Sequence, residues 1–171
     1  MTFVCARAIC FCQTTNDRSG WTKDQIEYRE TFLEFCSYVD NKQIGDLPLD
    51  TLFKNYIYFD YILKDTVTER KDRRLKMFPS IMEPFQHLID SIGANNIDIK
   101  PVSYYEKDTA FFLPFTKQLE EEIPWVMAYY QKGQEQEPLS TIMFSQKTHK
   151  ITAWIIINQG GYYYYATFNL L

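Results

Sequence analysis

The sequence predicts an α+β fold: an N-terminal strand and about three helices packed on one face of a C-terminal antiparallel β-meander ending in a Gly-Gly hairpin. Three observations carry this reading. Thr22 and Gln25 make a capping-box pair ahead of a single apolar stripe at helical spacing. Beyond Pro124 the pattern changes to short apolar runs separated by polar turns. Near the end, Gly160 and Gly161 stand between a β-branched run and a tyrosine run, the signature of a two-residue hairpin turn. Helices first and antiparallel strands last is the α+β order.

Residues 3 to 12 are apolar on both faces and suit a strand buried on both sides, with a short helix as the alternative. "TTNDRSG" is a loop. The first helix follows Thr22 and carries Tyr28, Phe32, Phe35, Cys36 and Val39 on one stripe, fading before Gly45 and Pro48. A second helix is expected from near Asp50 through "TLFKNYIYFDYILK", where apolar residues on most sides point to a central, buried element. The polar run 64–76 mixes six basic residues with three acidic ones, and reads as a solvated helical face. The third helix is expected over "PSIMEPFQHLIDSIG", with Pro79 in its first turn, Ser80 and Glu83 as a capping-box pair and Gly93 as its stop.

The second half is strand-rich. "NIDIKPVSYYE" alternates but holds a proline, which suits an edge strand. Pro114 and Pro124 bracket a short helix, and "WVMAYYQ" and "LSTIMFS" are strands on either side of a polar loop. With the glycine pair at the hairpin tip, Asn158 faces Tyr163, Ile157 faces Tyr164 and Ile156 faces Tyr165. One face then holds Ile151, Ala153, Ile155 and Ile157 with Tyr164, Ala166, Phe168 and Leu170, and is assigned to the core. The other holds Trp154, Ile156 and Asn158 with Tyr163 and Tyr165; it is either covered by another layer or forms a working surface. No repeat, linker or composition break divides the chain, so residues 1–171 are expected to form a single domain.

Composition narrows the function. The chain is 46% hydrophobic and 23% charged with net charge −4, which disfavours nucleic acid as a partner. Thirteen tyrosines and thirteen phenylalanines exceed what a core of this size needs. The start "MTFVCARAICFC" carries Arg7 and fits neither a signal peptide nor a membrane span, and no later stretch is apolar enough for one. The four cysteines (Cys5, Cys10, Cys12, Cys36) fit free thiols in a reducing cytoplasm. Cys36 lies on the apolar stripe, and no Cys/His set has zinc spacing. No phosphate-binding loop, nucleophile elbow or metalloprotease pattern occurs. No catalytic residue, metal or cofactor is therefore expected.

What remains is binding. The leading expectation is a non-enzymatic cytosolic protein-binding module of the inhibitor or immunity type, which occludes a partner protein, and one with a basic surface would suit it. Trp154, Tyr163 and Tyr165 would be its anchors, with Glu120, Glu121, Glu122, Glu135 and Glu137 steering the partner in. As a class, small, acidic, motif-poor α+β chains of this kind resemble bacterial toxin-neutralising immunity proteins, without a residue motif that identifies a family. The alternative is a small-molecule-binding domain or pocket enzyme with an aromatic-lined cavity between helices and a curved sheet. In element order alone it resembles the cone-shaped fold of nuclear transport factor 2. Its polar groups would be His87 and Asp90, which share a helical face. A subunit of a larger assembly would use the same aromatic face; the oligomeric state is left open.

Overall fold

The computed structural model describes residues 18–59 and 67–170. The expected strand over residues 3 to 12, Cys5, Cys10, Cys12 and the stretch 60–66 lie outside the described residues. Helix α1 (Lys23–Val39) opens as its sequence dictates. Thr22 Oγ1 accepts from the Gln25 N–H, and the Gln25 side chain accepts from the Thr22 N–H. The whole predicted stripe, Tyr28, Phe32, Phe35, Cys36 and Val39, is buried. Thr22→Ala removes the acceptor of the reciprocal pair, and chemical denaturation should show a loss of about 1 kcal/mol.

Helix α2 is shorter than its hydrophobicity suggests, Leu49–Asn55. The chain then extends. Ile57 forms a parallel bridge to Ile151, and the backbones of Tyr56 and Tyr58 bond Ile151 on both sides. Phe59 stacks flat on Phe53, with centroids 4.3 Å apart. A segment apolar on every side suits a buried strand as well as a buried helix, and here the unpaired edge of a sheet decides between them.

Helix α3 runs Thr68–Ile92, with Pro79 and Pro84 both inside it. The expected start at Pro79, with a Ser80/Glu83 cap, is therefore corrected. Each proline deletes one ladder bond, but Phe78, Met82, Phe85 and Ile89 form a continuous buried stripe that carries the helix through. The prolines lie outside that stripe, where Pro84 is exposed and Pro79 half-buried. Gly93 ends the helix with φ +85°, a conformation suited to glycine.

Strands β1 (Ile97–Pro101), β2 (Val126–Gln131), β3 (Ser140–Phe144) and β4 (Ile151–Ala153) form an antiparallel meander in that order. The predicted edge strand is β1. Strands β5 (Ile156–Gln159) and β6 (Tyr162–Tyr165) form a separate two-stranded sheet. The hairpin has the register expected from its glycines: Ile156 opposite Tyr165, Ile157 opposite Tyr164 and Asn158 opposite Tyr163.

The meander is covered on both faces. On one, Ile97, Ile99, Met127, Tyr129, Ile142, Phe144 and Ile151 meet α1 and α3. On the other, Val126, Met143 and Ala153 meet Phe115 of the short helix α4 (Leu113–Lys117), Phe112, Leu119, Val102 and Tyr165 of the hairpin. The long helices share one face, as expected. The hairpin folds back over the other, giving a third layer.

Candidate functional site

The hairpin's orientation follows from that third layer. Tyr165 is 6% exposed, and its hydroxyl shares a 2.7 Å hydrogen bond with Thr141 Oγ1 on β3. Burial pushes its phenol well above the ordinary tyrosine range, an effect the Thr141 bond offsets only in part. Tyr163 and Ile156 are half-buried against the same cluster. Trp154, also 6% exposed, stacks on Phe85 and Phe35 and meets Phe168 edge-on, within the main core. Tyr163 and Tyr165 are thus turned inward onto the layer that Phe112, Phe115 and Leu119 supply, while Trp154 parts from them and packs in the main core on the helix side of the meander.

The opposite face, assigned to the core from sequence, divides: Ile151, Ala153 and Phe168 are buried as expected, while Ile155, Ile157 and Tyr164 turn outward together with Tyr162. Ile155, Ile157, Tyr162 and Tyr164 are 41%, 36%, 69% and 41% exposed. Strand alternation places all four on one side of the hairpin, joined by the Ile157/Tyr164 pair. Tyr164 donates its hydroxyl proton to Gln159 Oε1 at 3.0 Å along the same face. No aspartate, glutamate, lysine, arginine or histidine occurs from Ile151 to Leu171. An apolar face bounded by tyrosine hydroxyls, with no charged side chain of the hairpin's own, is the composition of an interface centre.

The predicted acidic residues are dispersed. Glu120 and Glu121 are exposed in the turn after α4, and Glu122 beside them is half-buried. Glu135 is turned to internal use in the β2–β3 loop. Its carboxylate accepts the Gly133 N–H at 3.0 Å, its carbonyl accepts the Tyr105 hydroxyl at 2.8 Å, and backbone donors hold its carboxyl below the usual range. Glu137, two residues on, is exposed.

His87 and Asp90 are both exposed, and they do meet at one cleft. It measures about 230 Å³ and is completed by Lys42, Gln43, Glu83 and Gln86, with no aromatic ring among these residues. His87 Nε2 lies 3.8 Å from Glu83 Oε1 on the helix surface. A wider open depression of about 630 Å³, lined in part by Tyr38 and Tyr56, lies between α1 and the end of α2. Neither is the enclosed aromatic cavity of the small-molecule reading.

Two charged clusters escape the sequence. His149, in the β3–β4 loop, has φ +54° and sits between two carboxylates of α1: Nδ1 meets Glu27, and Nε2 lies 3.4 Å from Asp24 Oδ1. The two nitrogens face different carboxylates, so the trio pins the β3–β4 loop to the helix. Arg29 donates twice, at 2.7 Å each, to the buried Asp98 carboxylate on β1. Both pairings join residues far apart in the chain, and no local spacing signals them. Among the described residues no group of three or more His, Cys, Asp or Glu is placed to hold a metal ion, and no helix is long and apolar enough to cross a membrane. Compared with protein-family models, curated protein sequences and solved structures, the chain matches none.

Proposed function

We propose that the chain is a non-enzymatic protein-binding module that works by occlusion, seating the outer face of the β5–β6 hairpin on a partner protein. One observation carries the reading. Ile155, Ile157, Tyr162 and Tyr164 form a continuous uncharged surface that the fold itself does not use, since the hairpin's other face already fills a core. Tyrosine anchors of this kind supply most of the binding energy in protein interfaces. The exposed carboxylates Glu120, Glu121 and Glu137 favour a partner with a basic rim, whose approach they accelerate. Inhibitor or immunity-type action in the cytoplasm is the use that best suits such a module: it needs a firm surface and no chemistry. The small-molecule alternative takes second place, because no Phe, Tyr or Trp lines the cleft where His87 and Asp90 sit.

The test is affinity capture from the native source, run with the native chain and a Tyr162→Ala/Tyr164→Ala variant of equal stability. A stoichiometric partner held by the native chain should be lost at least tenfold in the variant. Equal capture by both would remove the hairpin face from the docking site.

A further inference from the structure

Resting on that reading, we infer that the partner docks by β-augmentation, adding an extended, uncharged apolar segment as a third strand along the outer edge of β5. The other sheet edges are each obstructed. On β1, the Lys132 N–H to Asn96 O bond fixes the ladder so that Ile97, Ile99 and Pro101 turn their backbones outward. There Pro101 has no N–H to offer, and the Ile99 N–H is taken by the Asp98 carboxylate at 2.8 Å. The free side of β4 is met by Tyr56–Tyr58 through two bonds of 2.8 Å to Ile151. On β6, the outward N–H of Tyr163 donates to Gln118 Oε1 at 3.3 Å.

Strand β5 has no such device. The Ala166 N–H to Ile155 O bond, 2.9 Å, makes Ile155 and Ala166 a bonded pair. By alternation Ile157/Tyr164 and Gln159/Tyr162 are bonded too, so Ile156 and Asn158 turn their N–H and C=O groups outward. Among the described residues no backbone or side chain bonds those groups. The edge contains neither proline nor lysine, the residues that usually guard one. Donors and acceptors repeating every second residue are matched by extended backbone, which identifies the occupant as a strand.

The occupant's side chains are constrained as well. Those on one side continue the Ile155/Ile157 surface, and those on the other lie beside Ile156 at the rim of the second cluster. Ile151 to Leu171 carries no charged side chain, so the hairpin itself offers a charged partner residue no counter-ion. A four-residue strand gives room for roughly four to six partner residues.

The test uses the full chain, isotope-labelled and dilute. The probe is a capped peptide of alternating threonine and valine, about eight residues long, with a copy N-methylated at alternate residues as control. Free, the Ile156 and Asn158 amides should exchange with solvent far faster than those of Ile157 and Tyr164. Saturating peptide should slow Ile156 and Asn158 at least tenfold, and the methylated copy should bind at least tenfold more weakly. Asn158→Pro deletes an outward N–H and should weaken binding at least tenfold. Asn158→Ala also loses the Asn158 Oδ1 contact to the Gly161 N–H but keeps the edge, and should stay within about threefold. Protection already present in the dilute monomer would mean that residues such as 1–17 occupy the edge, and would overturn the inference. So would protection that appears only as the mass doubles on concentration, since the occupant would then be a second copy. Equal binding of the two peptides would also overturn it. If native-partner capture still depended on Tyr162 and Tyr164 in that case, face docking would stand without augmentation.

Discussion

Raising the pH from 10 to about 12 is expected to unfold this protein cooperatively. Tyr28, Tyr105, Tyr130 and Tyr165 are buried, and burial pushes each phenol above its ordinary value, to about 12 for Tyr28 and further for the others. Nearby carboxylates add to it: Asp24 and Glu27 at Tyr28, Asp98 and Glu135 at Tyr130, and Glu122 at Tyr165. A group whose folded pKa is raised ionises first in the unfolded chain. Its stabilisation is therefore complete below pH 10 and is lost as pH climbs toward the folded values. Each such phenol costs about 1.4 kcal/mol per pH unit, so four cost roughly 5 kcal/mol per unit. Even halved for solvent screening at the hydroxyls, two units remove about 5 kcal/mol, comparable with the whole stability of many domains. Circular dichroism should fall in one transition, with a step in tyrosinate absorbance coinciding with it. Dichroism that stays flat to pH 12 would refute this account.

The same tyrosines show what local sequence can and cannot encode. The Thr22/Gln25 cap, the α1 stripe and the Gly160–Gly161 register were legible because each depends on residues within a few positions of one another. The side of the hairpin that turns inward was not. Ile155, Ile157 and Tyr164 belong to the more apolar set, yet they face out, since orientation depends on Phe112, Phe115 and Leu119 some forty residues earlier. Alternation shows that two faces differ, and a neighbouring layer decides which one it covers. Helix α3 carries a related lesson. Proline chemistry argued for a start at Pro79, and a buried stripe reaching back to Phe78 overrode it. For the candidate site, the tyrosine run and its glycine turn were visible at once. The open edge of β5 was not, because openness depends on where every other segment ends up.

Phe85→Ala should cost about 3–5 kcal/mol, the largest loss expected from a single substitution here. Phe85 is the junction of the main core. Its ring centroid lies 5.6 Å from that of Phe35 and 6.2 Å from that of Phe32 on α1, 5.7 Å from Tyr129 on β2 and 5.0 Å from Trp154 after β4. Four contacts from three different parts of the chain cannot all close around an alanine, so much of the cavity should persist. The urea midpoint should fall sharply with an unchanged slope. Phe85→Leu, which keeps much of the volume, should lose distinctly less. Tyr164→Ala is the informative contrast. That ring is exposed and packs on neither core, so its removal should change stability by no more than about 0.5 kcal/mol. A Tyr164→Ala loss as large as that of Phe85→Ala would mean that the hairpin's outer face serves the fold, leaving no spare surface for a partner. A near-neutral Tyr164→Ala that nevertheless abolishes capture would separate the two roles, with Phe85 holding the scaffold and Tyr164 meeting the partner.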